Sequence, residues 1–362
     1  MATKILIVKL SSLGDVIHTL PVVRDLARAI PGVQIDWVVE AGFAEIIQRT
    51  HGIHRVILCH LRRWSKSPFN AQTKLEWRAF KKDLQSQTYD AIIDLQGLTK
   101  SALISRVAKL SPNGKRYAMG NRTNGSSFEI LSKWAANIAI PLPLDLHAVS
   151  RARIVCAKAF HYQANDQAKV YFKLQAIHWQ ANLNPVVLAR HVMLIHGSSR
   201  QDKCWAAEKW LELGLFLAEP GLGCVWVHGN DAEQKASDEM AMALHLKLIE
   251  NKVAITDDLK PIVLPRLGLG PLADHMARCA GVIGVDSGLS HLAVALNLPH
   301  VQIYNFNTDW RTGPLNNSGQ CSVMDVNSPS VEKVWQAWEQ VQSGWISTSD
   351  EFAKSMMSTL PA

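Results

Sequence analysis

The sequence predicts an α/β protein of two Rossmann-like, doubly wound domains. Three observations predict it. Short aliphatic runs are followed by Gly/Ser/Asp loops and then by apolar positions at helical spacing; the same pattern restarts after residue 190; and the two halves carry opposite charge. At about 100–200 residues per domain, 362 residues suffice for two or three domains with their own cores. A content of 48% hydrophobic and 19% charged residues is that of a globular chain rather than a disordered one.

Lys4 to Leu10 is an aliphatic run, SSLGD a polar turn, and Val16, Ile17, Leu20, Val23, Leu26, Ala27 and Ile30 recur with helical period. The spacing predicts strand, tight loop and one helix, stopped by Pro31-Gly32; VQIDWVVE (33–40) is then the second strand of a βαβ unit. Tyr89 to Leu95 reads as another buried strand, with QGLTKSALISRVAKL as loop and helix. After a less regular middle, His191 to His196 opens the second domain, followed by the loop GSSRQDKCW and a helix over 207–217. Cys224 to His228 leads into GNDAE and a helix through Leu246. Gly281 to Val285 leads into DSGLSH and a helix to Leu296. His300 to Tyr304 is the final strand expected, and Val331 to Val341 an amphipathic helix. The expected domains are 1–180 and 181–362, with the boundary near Ala176 to Arg190 and the C-terminal helix able to pack back on the first domain.

Composition narrows the function classes. Lys9 ends the apolar run Ile5 to Val8 too early for a signal-peptide core. The longest weakly charged run, Trp134 to Leu144, has 11 residues and two prolines, short of the ~20 that span a bilayer. The six cysteines form no CxxC pair, so neither a zinc site nor a disulfide framework is indicated and a reducing cytoplasm is expected. The formal charge of +7 is uneven: residues 1–180 hold 25 Lys and Arg against 12 Asp and Glu, a net +13, and residues 181–362 hold 13 against 19, a net −6. Arg49 to Lys82 contains nine basic residues and one acid, Glu76. Such a charge run is either a solvated helix face or an anion site; LRRWSKSPF (61–69), broken by Ser and Pro and carrying Trp64 and Phe69, suits a mobile loop meeting an anion better than a salt-bridged helix. Nucleic acid, an anionic membrane surface or a phosphorylated substrate would satisfy that charge.

In doubly wound sheets ligands sit beyond the carboxyl ends of strands, where helix N-termini favour anions. SSLGD, GSSRQDK, GNDAE and DSGLSH occupy such positions, and none is GxGxxG or GxxxxGK[ST], which disfavours NAD-dependent oxidoreduction and a P-loop enzyme. Ser198 and Ser199 with Lys203 could cradle a diphosphate, or could simply cap a helix. Asp286 can cap the next helix, Gly288 permits close backbone approach, and Ser287, Ser290 and His291 bring donors to the same end. Glu233 stands where a carboxylate could accept ribose hydroxyls, or is an exposed helix-start acid. Asp15, after Ser11, Ser12 and Gly14, is an N-cap or a general base; burial would raise its pKa, while the helix dipole and nearby donors would lower it. The chain has no DxD, HxxxH or HExxH pattern, so Lys203 and helix dipoles are left to stabilise a departing diphosphate without a metal. A base in one domain and a nucleotide cradle in the other suggest group transfer. The competing class is a basic α/β module that binds nucleic acid or an anionic surface, with Asp15 and Asp286 as ordinary caps.

Seven stretches, ILIVKLSSLGDVIHTLP (Ile5 to Pro21), DWVVEAGF (Asp36 to Phe43), RRW (Arg62 to Trp64), YDAIIDLQGLTKSA (Tyr89 to Ala102), HAV (His147 to Val149), HGSSRQDKCW (His196 to Trp205) and VDSGLSHLAVALNLP (Val285 to Pro299), resemble the lipopolysaccharide heptosyltransferases. The resemblance implies a GT-B fold, its two Rossmann-like domains facing each other across a cleft. It implies a monomeric, cytoplasmic enzyme of lipopolysaccharide core biosynthesis, peripheral to the inner membrane. Such an enzyme moves L-glycero-D-manno-heptose from ADP-heptose to the first 3-deoxy-D-manno-octulosonic acid (Kdo) of Kdo2-lipid A, with inversion, no cofactor, no metal and no nucleic-acid partner. Carried over by position, Asp15 is the base; Ser198, Ser199 and Lys203 meet the diphosphate; Glu233 meets the ribose; and Asp286, Ser287, Gly288 and His291 form the donor-sugar and phosphate end. Leu267 stands where the family usually has a methionine near the adenine, leaving a backbone contact. Ser12, Gly14, Arg62, Arg63, Lys66, Gln96 and Lys100 fall on the acceptor side. Residues 117–134 lack the family's usual Arg-Glu-Pro element, with Arg122 the candidate replacement; Cys204 stands where His is common, and SSRQDK replaces TTRDDK. A related transferase for another inner-core position or sugar is the nearest alternative.

Overall fold

The computed structural model describes residues 2–163, 170, 172, 174, 188–315 and 319–357. The chain divides into two compact units, Met1–Gln175 and Ala176–Ala362. Most of the boundary expected over 176–190 lies outside the described residues.

The first unit runs β1 (Lys4–Val8), α1 (Leu13–Thr19), α2 (Pro21–Ala29), β2 (Gln34–Glu40), α3 (Ala44–Gln48), β3 (Arg55–Cys59), α4 (Leu61–Trp64), α5 (Ala71–Leu84), β4 (Thr88–Asp94), α6 (Thr99–Val107), β5 (Lys109–Met119), α7 (Ile130–Ala135), β6 (Ile138–Ile140) and α8 (Ala148–Phe160). The second runs β7 (His191–Ile195), α9 (Ala207–Ala218), β8 (Gly223–Trp226), α10 (Asp231–Glu250), β9 (Ile262–Val263), α11 (Leu269–Met276), β10 (Gly281–Val285), α12 (Gly288–Ala295), β11 (His300–Tyr304), α13 (Asp309–Thr312), β12 (Gln320–Met324) and α14 (Val331–Met357).

Among the described residues every pairing between named strands is parallel, in the orders β3-β2-β1-β4-β5-β6 and β12-β11-β10-β7-β8-β9. Counted from its own first strand, each sheet therefore has the order 3-2-1-4-5-6, and each has its topological switch point between first and fourth strands. Crossover helices cover both faces, which is why Ile5, Leu6, Ile7 and Val8 are all buried and why β1 reads as an unbroken aliphatic run. At Gly284 in β10, an added Cβ would lie 2.6 Å from Ser290 Oγ and 2.8 Å from Ile195 Cβ, so glycine lets α12 and β7 close on the strand.

Several expectations are corrected. The single helix expected before Pro31 is two, α1 and α2, because Pro21 has no N–H to continue the ladder; Leu20 N–H instead bonds the Ile17 carbonyl at 3.0 Å. LRRWSKSPF is not wholly a loop: Leu61–Trp64 form α4, and Trp64 is buried against Trp77 and Phe80 at ring distances of 5.7 and 5.5 Å. The irregular middle holds β5 and β6. KLSPNGKRYAM hides its strand behind Pro112 and Gly114, which sit at a shift of register, and a Cβ on Gly114 would approach the Tyr89 carbonyl to 2.6 Å. His300–Tyr304 is not the last strand, since β12 pairs along its outer edge. The helix expected over 331–341 extends to Met357, and Val331, Val334, Ala337, Trp338 and Val341 are buried in the core of the second unit. No described helix is long and apolar enough to cross a membrane.

Candidate active site

At the first switch point Val8 and Asp94 are register partners, so the segments after β1 and β4 leave the sheet side by side. Gln96 Oε1 accepts the N–H groups of Leu10 and Ser11, both at 3.1 Å, and thereby holds the SSLGD backbone against β4. Asp94 is buried and accepts from Gln96 N–H (2.9 Å), Gly97 N–H (3.1 Å) and Ser101 Oγ (2.9 Å). Gly97 has φ +77°, a conformation in which glycine is unstrained. Burial is the largest influence on Asp94 and pushes its pKa up to about 6 against the opposing hydrogen bonds and Lys9.

Asp15 begins α1 in a reciprocal cap: Ser12 donates to Asp15 Oδ2 through its N–H (3.2 Å) and its hydroxyl (2.9 Å). Lys9 Nζ lies 3.7 Å from the other oxygen, Oδ1. The Asp15 side chain is 40% exposed and opens into a small, solvent-open pocket lined by Lys9, His18, Met119, Ala148 and Arg151 among others. Desolvation in this pocket raises its pKa, but the charge of Lys9, the two Ser12 hydrogen bonds and the charge of Arg151 outweigh it and hold the carboxyl below its ordinary value. Asp15 is therefore an ionised carboxylate beside an open pocket, able to accept a proton from a hydroxyl placed there.

The second switch point pairs a lysine and a histidine with a buried aspartate. Lys203 Nζ lies 2.5 Å from Asp286 Oδ2, His291 Nε2 lies 3.5 Å from Asp286 Oδ1, and Ser198 Oγ donates to the Asp286 carbonyl at 3.2 Å. Burial raises the Asp286 pKa, but the His291 and Lys203 interactions together carry it down to about 2. Ser287 is the N-cap of α12, accepting from Ser290 N–H, and Gly288 opens that helix. Ser199 is exposed on the same loop as Ser198. The loops from β7 and β10 thus bring Ser198, Lys203, Asp286, Ser287, Gly288 and His291 together, with hydroxyls, an ammonium and a helix N-terminus suited to a polyanion.

Glu233 caps α10 reciprocally: its Oε2 accepts Gly229 N–H at 2.7 Å, and its own N–H donates to Asn230 Oδ1 at 3.0 Å. The carboxylate also lies against the serine loop, since a Cβ on Gly197 would come within 3.0 Å of Glu233 Cδ. Leu267 is half-buried in the segment after β9, and its neighbour Arg266 lies 3.9 Å from Asp231 in the first turn of α10. Arg62, Arg63 and Lys66 are exposed beyond the carboxyl end of β3. Arg63 pairs with Glu76 at 2.6 Å, and the Arg62 guanidinium lies 5.5 Å from the Phe43 ring centroid. Lys100 is exposed in the first turn of α6, and Arg122 is exposed after β5.

Sequence reasoning passed over Lys9, His18 and Arg151, which line the pocket, and the buried Asp94 beside them. Lys9 and Asp94 had a signal: each is a charged residue ending a central, otherwise aliphatic strand, where burial without partners would be costly. His18 and Arg151 are buried on α1 and α8 and had none, because their helical positions read as any other turn.

Known proteins share this fold. The model of glycosyltransferase family 9 (heptosyltransferase) matches residues 77–338. Lipopolysaccharide heptosyltransferase 1 of Escherichia coli K12 is 36% identical over 302 residues, covering 83% of this chain and 87% of that protein. The protein of the same name from Pseudomonas aeruginosa is also 36% identical over 302 residues, covering 83% and 78%. Among solved structures, E. coli heptosyltransferase WaaC with ADP superposes with a TM-score of 0.79 at 33% identity, over 94% of this chain and all of that one. E. coli ADP-heptose heptosyltransferase II shares the fold with a TM-score of 0.71 at 19% identity, over 94% and 98%. The two-sheet architecture is that of the GT-B heptosyltransferases, and the chain belongs to glycosyltransferase family 9.

Proposed function

We propose that this enzyme transfers L-glycero-D-manno-heptose from ADP-heptose to the first Kdo of Kdo2-lipid A, with inversion at the anomeric carbon. The observation that carries the reading is the contrast between the switch points: one offers an ionised carboxylate beside an open pocket, the other an ammonium, serine hydroxyls and a helix N-terminus. The acceptor O–H gives its proton to Asp15, its oxygen forms the new bond to the anomeric carbon, and the bond from that carbon to the diphosphate oxygen breaks with its electron pair leaving on ADP. Ser198, Ser199, Lys203 and the start of α12 take up the charge on ADP, and the reading needs no metal. Glu233 accepts from the ribose, the Leu267 backbone contacts the adenine, and Asp286, Ser287, Gly288 and His291 border the donor sugar and phosphates. Ser12, Gly14, Arg62, Arg63, Lys66, Gln96 and Lys100 face the acceptor.

The acceptor is a lipid, so the reading places a monomeric enzyme on the cytoplasmic face of the inner membrane. Leu103 on α6 and Ile130, Leu131 and Trp134 on α7 are exposed beside Lys100, Arg106 and Lys133, a combination suited to an anionic bilayer. The test is ADP release from ADP-heptose with Kdo2-lipid A, with the product glycolipid weighed by mass spectrometry. Wild type gains one heptose per acceptor. Asp15→Ala loses turnover by ~10²-fold or more yet still binds ADP-heptose by calorimetry. Equal activity in that variant removes the base assignment, and no product with this donor removes the reading.

A further inference from the structure

Asp15 does not stand alone in its pocket. Lys9 follows Val8 at the end of β1, and its backbone is tied to β2: its N–H bonds the Val38 carbonyl (3.3 Å), and its carbonyl accepts the Trp37 indole N–H (3.0 Å). Its ammonium is thereby delivered to the switch point, where it donates to the Leu95 carbonyl at 3.1 Å and lies 3.7 Å from Asp15 Oδ1. Lys9 is 5% exposed, and a buried ammonium without counter-charge is costly. Two carboxylates answer it, Asp15 from α1 and Asp94 from β4; the other charged or titratable groups lining this space are His18 on α1 and Arg151 on α8.

We infer that Lys9 is the positioning residue of Asp15: its ammonium fixes where the carboxylate points and supplies the positive charge facing it, with Asp94, the register partner of Val8 and chain neighbour of the Leu95 carbonyl that takes the same ammonium, as the second carboxylate at this point. The inference rests on the reading of Asp15 as the base. The two oxygens of Asp15 are held differently. Oδ2 is taken by both Ser12 donors. Oδ1 meets Lys9 at 3.7 Å, beyond hydrogen-bond length, so charge holds it and its lone pairs stay open to a substrate hydroxyl. Burial lowers the Lys9 pKa, Asp15 and Asp94 raise it, and Arg151 lowers it further, so removing either carboxylate weakens the hold on that proton.

The experiment is the pH profile of kcat/KM with ADP-heptose and Kdo2-lipid A. Lys9→Met moves the acid limb to higher pH by about one pH unit or more, because Asp15 loses the charge that held it ionised. Lys9→Arg restores the limb. Asp94→Asn moves the alkaline limb to lower pH, because Lys9 then releases its proton sooner. ADP binding measured by calorimetry is unchanged in all three, since the proposed cradle belongs to the other unit. An inactive Asp15→Ala beside a Lys9→Met variant with the wild-type acid limb overturns the inference and leaves the base reading standing, whereas an active Asp15→Ala removes the base reading itself. If Lys9→Met gives no cooperative melt, Asp94→Asn decides, and an unmoved alkaline limb overturns the inference.

Discussion

Each unit places an aspartate at the end of its fourth strand, beside its own first strand: Asp94 closes β4, and Asp286 follows β10 directly. Both are buried, and both have a lysine contributed by the end of the neighbouring strand or its loop. Their ionisation nevertheless goes opposite ways, to about 6 for Asp94 and about 2 for Asp286. Asp94 is bonded by neutral donors, and the nearby lysine reaches for Asp15; Asp286 has Lys203 in contact and His291 behind it. The same topology thus gives two electrostatic outcomes: His291 and Lys203 reach Asp286, whereas neutral donors bond Asp94. In one unit the lysine serves a second, exposed carboxylate, and in the other the carboxylate serves the lysine.

The largest test of this contrast is Lys203→Ala, which removes the cation from the second unit and should lower kcat/KM by about 10²–10³-fold in steady-state assays. A loss of tenfold or less would mean that the cluster is structural. Asp94→Asn comes next. A carboxyl whose folded pKa is raised stabilises nothing below its unfolded value near 4 and costs stability as pH climbs from there through about 6. The variant should therefore be more stable than wild type at pH 8 by up to roughly 3 kcal/mol, with the gap closing toward pH 4 in denaturant titrations. It would be less active for the same reason, a trade of stability for function.

Asp286→Asn should behave in the mirror sense. A depressed carboxyl stabilises the fold above its unfolded pKa, and that contribution is lost as pH falls from about 4 toward about 2. The variant should lose roughly 2 kcal/mol at pH 7, an amount that fades over that acid range in chemical denaturation. If both variants shift in the same direction at pH 7–8, the contrast between the units fails. The smallest effect is at the surface. Lys133→Gln on α7 should weaken sedimentation with phosphatidylglycerol vesicles about fivefold and leave phosphatidylcholine vesicles unaffected, while the exposed Lys247→Gln on α10 changes neither. Equal losses for the two lysines would take the bilayer away from α7.

Strands with unbroken aliphatic runs, such as ILIV and GVIGV, and the loops that follow them were legible because burial on both faces leaves no room for other residues. The order of the loops along the chain placed Ser198, Lys203 and Asp286 on one edge before any coordinates. What was not legible follows from competition between local and tertiary terms. Pro112 and Gly114 read as breakers because the sequence cannot show that a bulge beside Tyr89 accommodates them. Ser65 and Pro68 suggested a loop throughout 61–69, whereas the Trp64–Trp77–Phe80 contact fixes one end of it. Gln96 was expected on the acceptor side by position, and the sequence could not show that its carbonyl oxygen also holds Leu10 and Ser11. Leu10 and Ser11, like the Leu95 carbonyl that takes the Lys9 ammonium, lie more than 80 residues from their partner in sequence.

The contact between Lys203 and Asp286 has a bearing on selectivity. A basic niche lined only by ammonium groups would collect any small anion, chloride and free phosphate among them. Here the niche arrives already matched by a resident carboxylate at 2.5 Å, so a singly charged visitor gains little by entering. Under the proposed reading, a ligand bringing several negative oxygens at once competes best with Asp286 for the lysine.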